Sequence, residues 1–330
     1  MSNAVRFAIG HDARQMSTRS NFTKRWRYLL ISVAALVAAC GSARPSVSPV
    51  SRPPGPTSGL TAQSPAAASS PVLAASAAPL ASPASATSAA SASSPAPANW
   101  LPKVGDTFQV QYAGTVDVGI AASIYDLDVD DTPASIVAAL HARCRHVLCY
   151  IDAGAWENYR SDAASFPAAV LGKTMGGWPD ERWLDIRKIG VLAPLLRQRL
   201  ATCAAKGFDG VDPDNVNGYM NATGFPLTAA DQLAFDRWLG SEAHSRGLVV
   251  ALKNDGDQAG ALAGEFDAAV VEQCVEYDEC DQYAPFIAAG KPVFDIEYSR
   301  APGSFCPVAA KLHFSIIGKH LALDAYRTHC

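Results

Sequence analysis

Short apolar segments that each end in a charged residue recur from about residue 108 to the end of the chain. Residues 147–151 form one such segment, an unbroken apolar run followed by Asp152. Unbroken apolar runs are typical of parallel strands that are buried on both faces. The charged residues at the ends of successive segments are Asp126, Asp152, Asp214, Lys253, Glu272, Asp295 and Glu297. Parallel strands of a barrel place their carboxyl ends on one face, where active sites lie, so the pattern predicts an α/β fold, a (β/α)8 TIM barrel.

The segment 207–219, GFDGVDPDNVNGY, places two carboxylates where a strand gives way to a loop. Phe208 and Val211 suit a buried strand. Asp212 and Pro213 are predicted to end it, because proline cannot continue a ladder and Asp favours turns. The carboxylates of Asp212 and Asp214 are therefore either part of a solvated turn or part of a catalytic site.

Helical patterns lie between the predicted strands. Residues 191–206 carry apolar side chains at helical spacing and end at Gly207, a typical C-terminal cap. Thr228 and Asp231 form a capping-box pattern at the start of the next helix. Residues 313–317 are predicted to be the eighth strand. An open, doubly wound sheet is the competing fold, and the lack of a glycine-rich loop after the first strand disfavours it.

The N-terminal residues 1–39 have the pattern of a secretory signal. Three basic residues, Lys24, Arg25 and Arg27, precede an apolar run of about a dozen residues, which is too short to span a bilayer. Small residues then lead to Cys40, as in a bacterial lipobox, so we expect Cys40 to be lipidated and the protein to be anchored in the cell envelope. The residue after it, Gly41, favours the outer membrane. The alternative is an ordinary signal peptide with a chance cysteine, which would release the protein to the periplasm or the outside.

Residues 40–97 consist almost entirely of Ala, Ser and Pro. Such a segment lacks the apolar and aromatic side chains needed for a core, so we expect a disordered linker. The remaining residues, 98–330, are predicted to form one domain. Their number is near the usual size of a (β/α)8 barrel.

The charge balance argues against nucleic acid as a partner. Six of the 27 basic residues, but only one of the 31 acidic residues, lie in residues 1–39, so the exported part is more acidic than the whole chain. An acidic surface suits a neutral or cationic ligand better than a polyanion. We expect a monomer and no macromolecular partner beyond the membrane that the lipid would enter.

Eight cysteines in an exported protein indicate disulfides. Cys274 with Cys280 and Cys306 with Cys330 are the favoured pairs. The partners of Cys144, Cys149 and Cys203 stay open, and at least one cysteine is left unpaired if Cys40 carries a lipid. No CxxC or HExxH motif occurs and the histidines are scattered, so we expect neither a metal nor another cofactor.

Residues 153–190 form a long excursion that is rich in aromatic and charged side chains. Loops of this length in compact domains are usually functional. The side chains of Trp156, Tyr159, Trp178 and Trp183 are candidates for stacking on sugar rings. The alternative is that they pack the loop against the barrel.

Several of these segments resemble one known family. They are CYIDAGAWENYRSDAASFP, GWPDERWLDIR, GFDGVDPDNVNGY, LKND, VVEQC and IEY, and they resemble the endo-α-1,4-polygalactosaminidases, glycoside hydrolase family 114. The resemblance implies a (β/α)8 barrel that cleaves polymers of α-1,4-linked galactosamine or N-acetylgalactosamine, and it implies Asp214 and Glu272 as the acidic pair. This chain has Asp212 where the family often has Glu, and Asp152 where it often has Ser.

Glycoside hydrolysis needs one ionised carboxylate and one carboxylic acid. We predict that Asp214 is the ionised partner and that Glu272 is the general acid/base, in an apolar and acidic neighbourhood that favours its neutral form. Lys253 either holds a substrate oxygen or forms an ordinary ion pair. The predicted substrate-binding residues are Asp126, Asp152, Trp156, Trp178, Asp212, Asn215, Lys253, Asn254, Glu297 and Tyr298. The competing functions are a non-catalytic polysaccharide-binding lipoprotein and a structural envelope protein.

Overall fold

A computed structural model describes residues 100–330. The predicted signal peptide, the whole of the predicted linker and the predicted lipidation site Cys40 lie outside the described residues. Within residues 100–330 we find no helix whose length and apolar character would let it cross a bilayer.

The described chain alternates strands and helices. The strands are β1 (Phe108–Gln111), β2 (Ile124–Asp128), β3 (His146–Asp152), β4 (Ala155–Glu157), β5 (Leu171–Met175), β6 (Trp178–Leu184), β7 (Gly210–Asp214), β8 (Val249–Lys253), β9 (Ala268–Glu272), β10 (Val293–Glu297), β11 (Ser315–Gly318) and β12 (Thr328–His329). The α-helices are α1 (Ala134–His141), α2 (Ile189–Lys206), α3 (Ala229–His244), α4 (Gly256–Leu262), α5 (Cys274–Tyr277), α6 (Ala284–Ala288) and α7 (Pro302–Leu312).

Eight parallel strands form the barrel wall. Within residues 100–330 the large sheet runs in the order β1, β2, β3, β7, β8, β9, β10, β11, with β12 antiparallel on β11. The segment after β11 connects the last strand to the first, because the backbone N–H groups of Tyr112 and Ala113 donate to the carbonyl of Leu323 at 2.9 and 3.1 Å. The architecture is the predicted (β/α)8 barrel.

The side chains of each strand alternate between two apolar layers. Residues such as Val110, Leu148 and Phe294 fill the barrel interior. Their neighbours in sequence, such as Cys149 and Val293, pack outward in the layer that contacts the helices. Because side chains on a strand alternate between faces, the same alternation decides which strand-end residues point into the barrel mouth.

Strand β7 is longer than the sequence predicts. Pro213 does not end it: Asp212, Pro213 and Asp214 pair with β3, and the ladder runs to Asp214. The pairing of β7 with β8 covers only Gly210 and Val211, so the missing N–H of proline does not interrupt that ladder. Asp214 thus lies on a strand rather than in a flexible turn.

The predicted helix boundaries are confirmed to within two residues at α2. Gly207 ends this helix with a φ of 87°, a conformation that glycine adopts without strain. Thr228 and Asp231 form the expected capping box at the start of α3. The eighth strand begins later than predicted, at Ser315, because His313 lies in the left-handed region and ends α7.

The long excursion after β3 folds into its own small sheet, in the order β4, β6, β5. It is rooted in the barrel, because the N–H of Leu184 donates to the carbonyl of Gly154 at 2.9 Å. The excursion is therefore a rigid wall beside the end of β3 rather than an irregular loop.

Three disulfides link described residues: Cys149–Cys203, Cys274–Cys280 and Cys306–Cys330. The second and third confirm the favoured pairs, and the first ties β3 to α2, a pairing that the sequence left open. No cysteine among residues 100–330 is free, so the expected unpaired thiol is not found in this part of the chain.

Candidate active site

Asp214 lies at the carboxyl end of β7 with its side chain 20% exposed. Its Oδ2 accepts a hydrogen bond from the hydroxyl of Tyr150 at 2.9 Å, and its Oδ1 accepts one from Lys253 Nζ at 3.1 Å. The backbone N–H of Asn215 also donates to Oδ1, at 2.8 Å. Three donors on one carboxylate stabilise its negative charge, as expected for the ionised partner.

Glu272 lies two strands further round the barrel, at the end of β9, with its side chain 29% exposed. Its Oε1 accepts a hydrogen bond from the hydroxyl of Tyr298, and its Oε2 lies 3.5 Å from Lys253 Nζ. Asn254 Oδ1 accepts the backbone N–H of Glu272 at 3.0 Å and fixes this end of the strand. The neighbourhood of Glu272 is thus more polar than the apolar one expected from the sequence.

Lys253 bridges the two carboxylates from the end of β8. Its side chain is only 4% exposed. Burial by itself lowers the pKa of this amine, but the negative charges of Asp214, Glu272 and Asp212 outweigh burial and raise the pKa well above its usual value. Its two contacts place Asp214 Oδ1 and Glu272 Oε2 within ~7 Å of each other.

A second carboxyl pair, Asp126 and Asp212, lies below this bridge and is fully buried. Burial and the adjacent charge of Asp212 raise the pKa of Asp126 well above its usual value. Burial raises the pKa of Asp212 to about 7, although the nearby Lys253 acts in the opposite direction. None of the four carboxyl oxygens has a hydrogen-bond partner among residues 100–330, so no hydrogen bond stabilises a negative charge on either group. Both were predicted to bind substrate, but in this structure they form the floor beneath the site.

Asp152 and Asn215 shape the wall between β3 and β7. The carboxylate of Asp152 is fully buried and accepts the N–H of Ala155 at 2.7 Å and the Nδ2 of Asn215 at 2.8 Å. Burial, followed by the charges of Glu157 and Asp214, raises the pKa of Asp152 well above its usual value. Asp152 therefore anchors the small sheet to the site.

Glu297, another predicted substrate-binding residue, is not brought to the cleft. It is fully buried on the outer face of β10, where its Oε1 accepts the N–H groups of Val275 and Glu276 at 2.8 and 3.3 Å. Asp295, on the same face, accepts the N–H of Cys274 at 3.3 Å. These carboxyl groups hold the segment that follows Glu272.

One group of three candidate metal ligands occurs among the described residues: Cys274, Cys280 and Asp295. The two sulfur atoms are bonded to each other. Because a thiolate, not a disulfide sulfur, ligates metals, this group does not offer a metal site.

A family model for the glycoside hydrolases of family GH114 matches residues 88–330. The chain belongs to glycoside hydrolase family GH114. It is therefore a glycoside hydrolase, and the resemblance read from the sequence motifs is confirmed.

Solved structures agree with this membership. Ega3 from Aspergillus fumigatus, solved in complex with galactosamine, is 37% identical, with a TM-score of 0.68, and the match covers 72% of this chain and 100% of that one. The glycoside hydrolase domain of PelA from Pseudomonas aeruginosa is 15% identical, with a TM-score of 0.57, and the match covers 68% of this chain and 98% of that one, so it supports the fold alone. A comparison with curated proteins gave no match.

The predicted aromatic side chains of this GH114 chain have different surroundings. Trp156 is partly buried against the core and its Nε1 donates to the carbonyl of Ala163 at 3.0 Å, so it packs the small sheet. Trp178 at the tip of the β5–β6 hairpin and Tyr159 are 41% and 60% exposed. These two are therefore the side chains of the excursion that are free to contact a sugar.

Two site tyrosines were missed by the sequence reasoning. Tyr150 contacts Asp214 directly, and its ring packs against that of Tyr112 with centroids 4.4 Å apart. A signal for Tyr150 was present, because it stands two residues before Asp152 on the same face of β3. A signal for Tyr112 was present as well, because it continues the alternation of Phe108 and Val110, which places it on the same face of the chain.

Proposed function

We propose that this protein is an exported enzyme that cleaves within polymers of α-1,4-linked galactosamine or N-acetylgalactosamine, with Asp214 and Glu272 as its carboxylate pair. The bridge that Lys253 forms between these two carboxylates, at 3.1 and 3.5 Å, is the observation that carries the assignment. The substrate class is supported by the 37% identity to Ega3, whose structure contains galactosamine.

In the proposed reaction Asp214 is the nucleophile. Lys253 and Tyr150 keep its carboxylate charged and oriented. Asp214 attacks the anomeric carbon while Glu272 protonates the departing glycosidic oxygen, and a covalent glycosyl ester forms. Glu272 then takes a proton from water, the water oxygen attacks the anomeric carbon, and the ester bond to Asp214 breaks, which restores both groups.

The separation of the carboxylates favours retention of configuration. Retaining glycosidases hold their carboxyl groups about 5–5.5 Å apart, whereas inverting ones need about 6.5–9.5 Å to admit a water. The shared contact with Lys253 limits the distance between Asp214 Oδ1 and Glu272 Oε2 to ~7 Å, which covers the retaining separation and only the lower end of the inverting range. We therefore expect the first product to carry the α configuration, as measured by NMR during hydrolysis.

Product release from purified polymers tests this function. We expect oligosaccharides from wild type and almost none from Asp214→Asn or Glu272→Gln. Glu265→Gln is the matched control, since Glu265 is an exposed carboxylate paired with Arg237 away from the site. Saturable quenching of tryptophan fluorescence without product release would instead indicate a polysaccharide-binding protein. Neither signal would mean that this substrate class does not apply.

We also propose that Cys40 is lipidated and anchors the enzyme, because the signal pattern in residues 1–39 ends at this cysteine and a linker follows it. Labelling of cells with a fatty acid analogue tests it. Wild type should be labelled and should partition into detergent, and Cys40→Ser should lose both properties. Equal behaviour of the two would contradict lipidation.

A further inference from the structure

Glu181 stands on the small sheet that follows β3, directly opposite Glu157 in the antiparallel pair of β4 and β6. Directly paired residues of antiparallel strands project on the same face of a sheet. The sheet is fixed to the barrel where β4 begins, because the N–H of Ala155 donates to Asp152 at 2.7 Å. The position of Glu181 relative to the barrel is therefore set by two strands.

The face that carries Glu157 and Glu181 is directed towards the active site. Arg160 Nη2 donates to Glu157 at 3.0 Å, and the guanidinium carbon of Arg160 lies 5.9 Å from the centre of the Tyr150 ring. The hydroxyl of Tyr150 donates to Asp214. A continuous series of contacts thus leads from the proposed nucleophile to the partner of Glu181.

The carboxylate of Glu181 has no ion pair or hydrogen bond with any residue in the described range 100–330. Glu157 accepts hydrogen bonds from Arg160 Nε and Nη2 at 2.5 and 3.0 Å, and Arg160 also forms an ion pair with Asp128. The neighbouring Arg182 donates to the carbonyls of Gly172 and Leu171. Both neighbouring cationic side chains, Arg160 and Arg182, therefore donate their hydrogen bonds to other acceptors.

Burial and the charges around Glu181 disfavour its ionised form. Burial is the largest effect, the charges of Glu157, Asp214 and Asp180 add to it, and Arg160 opposes it, so that the pKa of Glu181 is raised to about 8. A half-buried carboxylate in this position lacks a cation. A ligand that brings one would restore the charge balance.

We propose that Glu181 binds the ammonium group on C2 of a galactosamine unit beside the bond that is cleaved, and so selects deacetylated units. This inference rests on the proposed function. An ammonium group offers three donors and a positive charge, whereas an N-acetyl group offers a single neutral N–H and is bulkier. Glu181 is thus assigned to substrate specificity and not to bond cleavage.

Kinetics on two polymers test the assignment. For Glu181→Gln we expect kcat/KM on the deacetylated polymer to fall about 10- to 100-fold, the range expected for a lost charged hydrogen bond. On the N-acetylated polymer the change should stay within about two-fold of wild type. Glu265→Gln is the control: Glu265 is an exposed carboxylate that pairs with Arg237 at 2.8 Å, away from the small sheet. Its kcat/KM should be unchanged on both polymers.

The outcomes separate the two proposals. An equal loss on both polymers, or no loss on either, would overturn the role of Glu181. A wild type that cleaves neither polymer would overturn the proposed function itself.

Proton release provides a readout that a structural role of Glu181 would not affect. At pH 7 the free enzyme carries Glu181 largely protonated, because its pKa is about 8. An ammonium ligand favours the carboxylate, so binding should expel the proton. Calorimetry with a short galactosamine oligomer, in two buffers of different ionisation enthalpy, should detect this release for wild type and not for Glu181→Gln. An equal release from both proteins would contradict the proposal.

Discussion

Lys253 lies between the two carboxylates that we assign to catalysis, 3.1 Å from Asp214 Oδ1 and 3.5 Å from Glu272 Oε2. Without it, two carboxylates would face each other in a largely buried site with no cation between them. Lys253 therefore offsets the repulsion between the two carboxylates.

Replacing Lys253 with Met tests this role at the level of one residue. We expect kcat to fall at least about 100-fold, because a buried charge pair loses one partner. The acidic limb of the pH–rate profile should move to higher pH, because the loss of an adjacent cation disfavours the charged form of a carboxyl group. Lys311→Met, in the last turn of α7, is the control and should leave both quantities unchanged. An unshifted profile would argue against charge control by Lys253.

Tyr150 offers a second test at the residue scale. Its hydroxyl donates to Asp214 at 2.9 Å, and Tyr150→Phe removes only that donor. We expect kcat/KM to fall about 10-fold or more, in line with the loss of a hydrogen bond to a charged group. Tyr125→Phe is matched to it, because the buried hydroxyl of Tyr125 donates to the carbonyl of Ile120, away from the site. A similar loss in both variants would point to packing instead.

The buried pair Asp126 and Asp212 makes stability depend on pH. Asp212 has a folded-state pKa of about 7, above its usual unfolded value, so the folded state binds more protons between these values. Stability therefore decreases as pH rises from about 4 to 7. We expect Asp212→Asn to be more stable than wild type at pH 7, by a few kcal/mol at most, and to show a smaller decrease over this range. Urea unfolding at pH 4 and pH 7 measures the free energy of unfolding of both proteins. If it decreased as much in Asp212→Asn as in wild type, Asp212 would not be the source of the pH dependence.

At the scale of elements, β10 and α5 hold Glu272 from behind. Glu297 accepts two N–H groups of α5, and the disulfide Cys274–Cys280 closes the same segment. The segment thus begins at a proposed catalytic residue and is fixed by groups that do not enter the cleft. Its rigidity is expected to keep Glu272 in reacting geometry.

Removal of two different disulfides separates this effect from general stability. In Cys274→Ser/Cys280→Ser we expect kcat to fall several-fold while KM changes little. In Cys306→Ser/Cys330→Ser the melting temperature should fall, by the equivalent of about 2–4 kcal/mol, while kcat is retained. Steady-state kinetics and thermal unfolding of both variants provide the comparison. Equal kcat values for the two would contradict a positioning role for the first disulfide.

The ends of helices were predicted correctly where a few adjacent residues form the cap. Gly207 and the Thr228–Asp231 capping box marked helix ends correctly, because caps depend on a few adjacent residues. Pro213 misled the prediction, since whether a proline ends a strand depends on which neighbour its missing N–H would have faced. The small sheet after β3 was read as a loop for a similar reason: its strands are stabilised by pairing with each other.

At the scale of the whole molecule, the barrel brings residues from distant parts of the sequence into one site. Asp214, Lys253 and Glu272 come from three consecutive strands of the wall, β7, β8 and β9. The contact of Tyr112 with Leu323 joins the two ends of that wall. The location of the site at the carboxyl ends of the strands is therefore a property of the complete fold.

The sequence by itself determined the barrel and the family, because strand periodicity, helix caps and motif order are written along the chain, and the family resemblance supplied the two carboxylates that we propose as catalytic. Only the tertiary structure decided which charged side chains meet. Lys253 lies between two carboxylates, Asp126 pairs with Asp212 below them, and Glu297 faces outward. The physical reason is that strand register and twist set the direction of each side chain, and a shift of one residue would reverse it.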